Sequence, residues 1–384
     1  MKEIYFDNSA TTPVLPEVAD AVYEMMVSQY GNPSALYHLG VEAERTLKIC
    51  RKQIAATLAA EPERVLFTSG GTESDNLAIL GVANAYKNRG KHMITTAIEH
   101  PAVLQPMQYL KELGWQVDCL AVDAKGQPDI EQLETLLRKD TVLVSMMLVN
   151  NEVGSILPVE KVAKLLKQQD HKIYFHVDAV QAYGKLKIKP AQWGVDLLSA
   201  SAHKIHGPKG VGFLYTGKGV RLVPLLRGGG QENGLRSGTE NMPGIVGLAK
   251  AAALAHRDLT ARAEGVKQVR QAFLQALQEA LPDWHVNGDG GVALPYVLNI
   301  CFAGVKSEVL LHMLEQQGLY VSAGSACSAK KNNLSPVLTA MGLSKEEIEG
   351  SLRFSFSAEN TRDEALTAAA IVAEAVKELR GILR

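Results

Sequence analysis

The segment VDLLSASAHKIHGPKG, residues 195–210, is the stretch that decides the fold prediction. Its first half is apolar and then small, which is typical of a strand that is buried on both faces of a sheet. Its second half places Lys204 close behind that strand, between two histidines. A lysine at the end of a buried strand has either a charge partner to meet or chemistry to perform. The groups that the fold brings near Lys204 therefore decide the function.

Six further runs resemble this strand and alternate with helical patterns. They are RVLFTS, HMITTA, QVDCLAV, TVLVSMMLV, KIYFHVD and GVGFLY. Several are apolar throughout, and amphipathic segments such as DIEQLETLLRKD lie between them. Uninterrupted apolar strands that alternate with helices are typical of a mostly parallel sheet covered on both faces. The pattern predicts an α/β fold whose large domain contains a mostly parallel seven-stranded sheet.

The alternation of strand-like and helical segments ends after Pro243. A long Ala-rich helical region over residues 243–280 leads to the turn-rich piece PDWHVNGDGG, and then to the strand-like runs YVLNICF and SLRFSFS. This mixture predicts a smaller α+β domain. We expect a large domain over residues 13–260, and a small domain made of residues 1–12 and 261–384.

Composition excludes several classes of function. Of the 384 residues 46% are hydrophobic and 21% charged, as in ordinary globular proteins. The net charge of −1 gives no basic field for nucleic acid or for an anionic membrane. No apolar run reaches the ~18–20 residues that span a bilayer, and the N-terminus lacks the apolar core of a signal peptide. We therefore expect a cytoplasmic protein that binds neither nucleic acid nor membrane.

The four cysteines are far apart in the sequence and form no C-x-x-C pair, so we expect no metal site and no disulfide framework. Cys50, Cys119 and Cys301 lie in helix-like or strand-like segments, where a free cysteine packs as a small hydrophobe. Cys327 lies in SAGSACSAKKNN, whose small and polar residues cannot form a core. We expect Cys327 to be exposed and mobile.

Polar groups follow five of the predicted strands. Because ligands bind beyond the carboxyl ends of parallel strands, we expect these groups to share one site. The candidate residues at these strand ends are Gly71, Thr72, His100, Asn151, Asp178, Gln181, Ser201, His203 and Lys204.

Three of these strand ends predict a particular cofactor. Gly71 and Thr72 open a helical pattern, and a helix N-terminus either binds phosphate or is simply capped. Asp178 would need a cation or would cap the next helix, and Lys204 could pair with a carboxylate or form an imine with an aldehyde. The sequence lacks the Walker A and G-x-G-x-x-G motifs of nucleotide sites. An anion site, an acid and a lysine together are what pyridoxal phosphate requires.

Other residues extend this prediction. Ser201 and His203 could donate to the phosphate, and His100 could lie over the cofactor ring. Thr239 lies in the glycine-rich segment RGGGQENGLRSGTEN, which is either an anion-binding loop or a solvent-exposed turn. Arg353 is a lone cation in SLRFSFS and suits a substrate carboxylate, with an internal salt bridge as the alternative.

Several of these segments together resemble the cysteine desulfurases of NifS and IscS type. The most specific are YFDNSATTPVLPEV, FTSGGTESDNLAI, HVDAVQAYGK, SASAHKIHGPKGVGFLY and SAGSACS. These enzymes belong to the class V aminotransferase family of fold type I pyridoxal-phosphate enzymes. The resemblance extends from residue 4 to residue 357, and it implies a fold type I transferase that acts as a homodimer.

The resemblance also implies how the cofactor is held. Lys204 would bind it covalently, Asp178 would pair with the ring nitrogen, and Gln181 would pair with the ring hydroxyl. The residues implied to hold the phosphate are Gly71, Thr72, Ser201 and His203. Thr239 would reach the phosphate in the other subunit.

The implied reaction converts L-cysteine to L-alanine and leaves a persulfide on Cys327. His100 would stack on the ring and assist proton transfer, while Asn151 and Arg353 would bind the substrate carboxylate. The persulfide sulfur would pass to an acceptor protein, such as an iron–sulfur scaffold or a tRNA thiolation enzyme.

Three alternatives remain open at this stage. An aminotransferase or selenocysteine lyase of the same fold would keep Lys204 and Asp178 but would not need Cys327. A scaffold of this fold could act only through protein partners and bind no cofactor. A nucleotide-binding α/β protein is disfavoured by the missing phosphate-loop motifs. We assign no role to His38.

Overall fold

The computed structural model describes residues 3–288, 293–324 and 334–382. Cys327, the predicted sulfur acceptor, lies outside the described residues. No helix in the described part of the chain is long and apolar enough to cross a membrane.

The strands and helices follow one another in the alternation that the sequence predicts. The strands are β1 (Ile4–Tyr5), β2 (Val65–Thr68), β3 (His92–Thr96), β4 (Gln116–Leu120), β5 (Thr141–Met147), β6 (Tyr174–Asp178), β7 (Leu197–Ser201), β8 (Gly212–Thr216), β9 (Trp284–Asn287), β10 (Val297–Phe302), β11 (Leu319–Tyr320) and β12 (Ser351–Ser355). The helices are α1 (Pro16–Val27), α2 (His38–Thr57), α3 (Gly71–Tyr86), α4 (Pro101–Glu112), α5 (Ile130–Leu136), α6 (Val159–Lys167), α7 (Pro190–Trp193), α8 (Met242–His256), α9 (Leu259–Ala280), α10 (Ser307–Gln316), α11 (Pro336–Ala340), α12 (Lys345–Glu349) and α13 (Arg362–Ile382).

The central sheet has seven strands in the order β2-β8-β7-β6-β5-β3-β4. Strand β8 pairs antiparallel with both of its neighbours, and the other pairs are parallel. Every residue of β5, β6 and β7 is buried, because helices cover both faces of the sheet. The predicted α/β class and the mostly parallel seven-stranded sheet are confirmed.

A second, antiparallel sheet of order β12-β10-β9 lies apart from the central one in sequence. The turn-rich piece PDWHVNGDGG contains strand β9, which the sequence analysis did not predict. Its pairing with β10 overrides the turn signals on its flanks. The predicted helical region over residues 243–280 is two helices, and Asp258 begins the second by accepting a hydrogen bond from Ala261 N at 2.9 Å.

The N-terminal residues join the second sheet to the central one. Strand β1 pairs in parallel with β11, and Phe6 is fully buried against Phe273 and Phe356. Residues 7–12, which we call the N-terminal strap, then run across to the residues that follow β7. The exact division of the chain into two domains stays a prediction.

The cysteine predictions are confirmed at two positions and wrong at a third. Cys50 and Cys301 are buried, as expected of packing residues. Cys119 is exposed. It lies on β4, an edge strand of the central sheet, which pairs with a strand on only one side among the described residues.

Candidate active site

A cavity of about 260 Å³ lies beyond the carboxyl ends of β5, β6 and β7. The sequence predicted that polar residues from several strand ends would meet, and the structure brings ten of the predicted residues to the wall of this one cavity. They are Gly71, Thr72, His100, Asn151, Asp178, Gln181, Ser201, His203, Lys204 and Arg353.

Two predicted site residues are not among those that line the cavity. Thr239 is exposed and does not line it, although the resemblance assigns Thr239 to the phosphate of a second subunit. Cys327 lies outside the described residues. The roles of both residues stay predictions.

Lys204 occupies a short 3₁₀ turn, Ala202–Lys204, directly after β7. Its Nζ donates hydrogen bonds to Ser9 O at 2.6 Å and to Ala10 O at 2.7 Å, so the N-terminal strap holds the amine at the cavity wall. The sequence left open that Lys204 forms an ion pair with a carboxylate. These two hydrogen bonds are not ion pairs, because both acceptors are backbone carbonyl oxygens.

Asp178 is the last residue of β6 and is only 6% exposed. Burial, and then the neighbouring Asp75 carboxyl, raises the pKa of Asp178 to about 7. Its Oδ1 accepts from Val180 N at 2.9 Å, which resembles a helix cap, but residues 180–185 form turns. A cation placed beside a buried carboxylate lowers its pKa and removes the cost of burial. Asp178 therefore suits a protonated ring nitrogen.

The start of α3 has the uncapped backbone that the predicted anion site requires, and phosphate binding there stays a prediction. Gly70 precedes the helix with a φ of 149° and supplies no side-chain cap. A Cβ on Gly71 would lie 2.6 Å from Val180 Cγ2, so only glycine fits at this close approach. Uncapped N–H groups and the helix dipole favour a phosphate here.

Burial lowers the pKa of both histidines of the cavity, which favours their neutral forms. His100 is the N-cap of α4, and its Nδ1 accepts from Ala102 N at 3.1 Å. Burial is the main cause that lowers the pKa of His100. Burial, and then the Lys204 and Lys209 charges, lowers the pKa of His203 to about 4. A neutral His100 with an accepting Nδ1 carries its proton on Nε2.

Arg353 is a buried cation on β12, and it is 2% exposed. Its Nη2 donates to Asp7 Oδ1 at 2.8 Å and its Nη1 to Asn151 O at 3.0 Å. The internal salt bridge that the sequence left as an alternative is therefore present. The same guanidinium lines the cavity, so it also remains available to a substrate carboxylate.

Two buried carboxyls beside Asp178 were not predicted as site residues. Asp75 lines the cavity, and its Oδ1 accepts no hydrogen bond, although it lies 3.4 Å from His176 Nε2. We treat that distance as an electrostatic contact, since His176 Nε2 is closer to Ser199 Oγ, at 2.9 Å. Burial raises the pKa of Asp75 to about 7 and that of Glu99 to about 8. Asp75 follows Gly71 by one helical turn, which is the signal that could have identified it.

The N-terminal strap is the other part of the site that sequence reasoning did not assign. Besides holding Lys204, it contacts His203, whose carbonyl accepts from Thr12 Oγ1 at 3.0 Å. His203 Nδ1 lies 3.2 Å from Thr11 Oγ1. The motif FDNSATTP was part of the family resemblance, but nothing in its residue types shows which distant groups it contacts.

Comparison with known proteins identifies the class. Residues 4–366 match the model of the family described as aminotransferase class-V. The chain is 45% identical over 380 residues to the putative cysteine desulfurase IscS 1 of Bacillus subtilis, which covers 99% of this chain and 100% of that protein. It is 41% identical over 381 residues to the cysteine desulfurase IscS of Dictyoglomus turgidum, which covers 99% of this chain and 96% of that protein.

A solved structure described as a NifS-like protein superposes with a TM-score of 0.93 at 38% identity, covering 98% of this chain and 100% of that one. The chain belongs to the class V aminotransferase family. Within that family it is one of the cysteine desulfurases of NifS and IscS type. The predicted cofactor is confirmed as well, because this family depends on pyridoxal phosphate.

The residues present fit that cofactor. The uncapped start of α3, where only glycine fits at residue 71, is a cradle for the phosphate. The buried carboxyl of Asp178 lacks a cation among its described partners, and the ring nitrogen would supply one. Lys204 lines the same cavity and would take the aldehyde.

Proposed function

We propose that this desulfurase converts L-cysteine to L-alanine through the residues of the described cavity and takes the sulfur onto Cys327 as a persulfide. One observation carries the proposal. A lysine amine, a buried acid and a buried arginine, namely Lys204, Asp178 and Arg353, line one cavity. These groups suit an aldehyde, a protonated ring and a substrate carboxylate respectively.

The cofactor chemistry divides between the ring and the chain. When bound, pyridoxal phosphate supplies an aldehyde for an amine and a ring that accepts the electron pair left on the substrate Cα. Asp178 would hold a proton at the ring nitrogen, and Gln181 Nε2 would donate to the ring hydroxyl. Lys204 would hold the aldehyde, and its free Nζ would be the base that takes the Cα proton.

The remaining cavity residues orient the substrate. Arg353 binds the substrate carboxylate, and the Asn151 side chain assists it. His100 would pack over the ring. Its Nε2–H would donate a hydrogen bond on the substrate side of the ring and would assist proton transfer there.

The sulfur transfer balances without an external oxidant. The Cys327 thiolate attacks the substrate sulfur, an S–S bond forms, and the C–S bond breaks. The carbon electron pair takes up a proton, so that cysteine plus the enzyme thiol yields alanine plus the enzyme persulfide. The substrate carbon is reduced while the two sulfurs share the oxidation.

The test is incubation of the purified protein with L-cysteine and a reductant. We expect alanine and sulfide in equal amounts, and we expect Cys327→Ser to abolish sulfide formation while borohydride still traps the cofactor on Lys204. Continued sulfide release by the Cys327→Ser variant would favour a selenocysteine lyase or an aminotransferase. No adduct on Lys204 in the wild-type protein would remove the basis of the proposal.

We also propose that the enzyme is a homodimer. Large apolar side chains are exposed along α1, α2 and the segment between them, including Tyr23, Met26, Tyr30, Leu36 and Tyr37. Both helices pack on α8, so this face lies on one side of the molecule. An exposed apolar face of this extent is typical of a protein–protein interface. Sedimentation should give a mass of two chains, and Leu36→Glu with Tyr37→Glu should lower it to one.

The sulfur acceptor and the location are further proposals. We propose an acceptor protein with a reactive thiol, either an iron–sulfur scaffold or a tRNA thiolation enzyme, and no direct contact with nucleic acid or membrane. A cytoplasmic location is supported by the unpaired state of the three described cysteines, since a reducing compartment keeps thiols free.

A further inference from the structure

Lys185 is a buried lysine that the proposed mechanism does not use. It is 8% exposed, and no carboxylate of the described residues forms an ion pair with it. Its Nζ donates to Gln181 Oε1 at 3.3 Å and lies 5.5 Å from the centre of the Tyr296 ring. Burial, and then the charges of Lys204 and Arg353, lowers the pKa of Lys185 to about 7. Burying a lysine without a counter-charge costs free energy, so its position needs an explanation.

The Gln181 side chain lies between two cavities. Its Nε2 donates to Ser9 O at 3.0 Å, and Ser9 lines the cofactor cavity. Its Oε1 faces Lys185, which lines a separate cavity of about 20 Å³ behind that wall. The amide nitrogen is therefore on the cofactor side and the amide oxygen on the far side.

The two partners of the amide determine this orientation. Lys185 Nζ donates to Oε1 in its charged and in its neutral form, and a backbone carbonyl only accepts hydrogen bonds. Rotating the amide by 180° would place its oxygen against Ser9 O, so that bond would be lost, and with Lys185 charged the second bond would be lost as well. Without Lys185, the buried Gln181 Oε1 would lose its donor, and one of the two hydrogen bonds that fix the amide orientation would be absent.

We propose that Lys185 is a positioning residue that holds the Gln181 amide with its Nε2 toward the ring hydroxyl of the cofactor. This inference rests on the proposed function, because Gln181 is the residue expected to donate to that hydroxyl. One Nε2 hydrogen is bound by Ser9 O, and the second is then left for the ring oxygen. A donor there stabilises the ionised oxygen, which lowers the pH at which the bound cofactor loses its imine proton.

The test is a pH titration of the visible absorption of the cofactor-loaded protein. We expect Lys185→Met to raise the midpoint by about one pH unit, because the ring oxygen loses its donor and holds the shared proton more strongly. Lys185→Arg keeps a cationic donor and should restore the wild-type midpoint. Lys172→Met removes an exposed lysine that pairs with Asp196 outside the cavity, and this matched control should leave the midpoint unchanged.

A double variant separates positioning from simple charge removal. In a Gln181→Ala background, Lys185→Met should shift the midpoint by less than half of the shift that it causes alone. An equal shift in both backgrounds, or no shift with Lys185→Met alone, would overturn the inference.

Two further measurements distinguish a failure of this inference from a folding defect and from a failure of the proposed function. If Lys185→Met does not fold, Lys185→Gln replaces it, since its side chain is one bond too short to reach Gln181 Oε1, and the same upward shift is expected. A wild-type protein with no adduct on Lys204 would defeat the proposed function. A normal adduct with an unchanged midpoint in the variants would defeat only the role of Lys185.

Discussion

Arg353 lines one part of the cavity wall and forms a largely buried pair of opposite charge with Asp7, whereas Asp75 and Asp178 are buried carboxyls in another part of the wall, with Glu99 buried beside Asp178. The arginine has its counter-charge within the chain at 2.8 Å. Among the described residues none of the three carboxyls has a lysine or arginine partner, and burial raises the pKa of each. One wall is therefore complete in the chain alone, while the other is arranged for a cation that the cofactor ring supplies.

The largest expected effect comes from removing Asp178, a carboxyl of the wall that lacks a counter-charge. Asp178→Ala should lower kcat/KM for L-cysteine by about 10³-fold or more, since the ring nitrogen loses the group that holds its proton. The measurement is alanine formation, with fluorescence of the bound cofactor to report loading. Asp196→Asn, outside the cavity at the start of β7, is the matched control and should stay within about twofold of wild type. A loss below tenfold for Asp178→Ala would contradict this view of the wall.

A smaller effect should follow from breaking the complete wall. Asp7→Ala leaves the Arg353 cation buried without its partner, a change that costs about 3–5 kcal/mol. We expect the thermal unfolding midpoint to fall by about 4–6 °C. Adding Arg353→Met to Asp7→Ala should recover most of the loss, because no unpaired charge remains. Equal midpoints for the single and double variants would show that the unpaired Arg353 charge does not cause the loss, and would contradict this prediction.

The pH dependence of stability sharpens the comparison further. The pKa of Glu99 is raised from 4.5 to about 8 in the folded protein, so wild-type stability falls as pH rises through this window. Glu99→Gln removes that dependence and keeps an acceptor for Thr96 Oγ1 and Met147 N. The variant should match wild type below pH 4.5 and be more stable at pH 8, as measured by thermal midpoints. Glu160→Gln, an exposed control on α6, should show no such trend.

The smallest effect concerns a residue away from both walls. Cys119 is exposed on the edge strand, whereas Cys50 and Cys301 are buried. A thiol reagent should therefore modify Cys119 in the native protein and should leave Cys50 and Cys301 unmodified, as peptide mapping would show. Cys119→Ser should leave alanine formation unchanged, because Cys119 does not line the cavity. Modification of Cys50 in the native protein would contradict this prediction.

Much of the fold was predictable because its signals are local. Strand-like runs of four to seven residues mark β2 to β8, and the lack of alternation in β5, β6 and β7 shows that both faces of the sheet are covered there. Strand β9 was missed, because its pairing with β10 outweighs the turn residues around it. Cys119 was misjudged for a related reason, since strand order decides which strand is an edge.

The site residues also divide into those that local sequence signals predict and those that only the tertiary structure shows. Lys204, Asp178 and Gly71 follow strands directly, so the rule that parallel strands end at one edge brings them together. Asp7 and Lys185 follow no such rule. Asp7 is 346 residues from Arg353, and only the folded chain shows that they pair.

The sequence by itself determined the order of strands and helices, the residue types at the strand ends, and the family to which the protein belongs. These depend on apolar periodicity and on short motifs, which act over a few neighbouring residues. Only the tertiary structure decided which buried charges are paired and which await a ligand. That outcome depends on contacts between residues far apart in the chain and on the exclusion of water around them, and neither is present until the chain has folded.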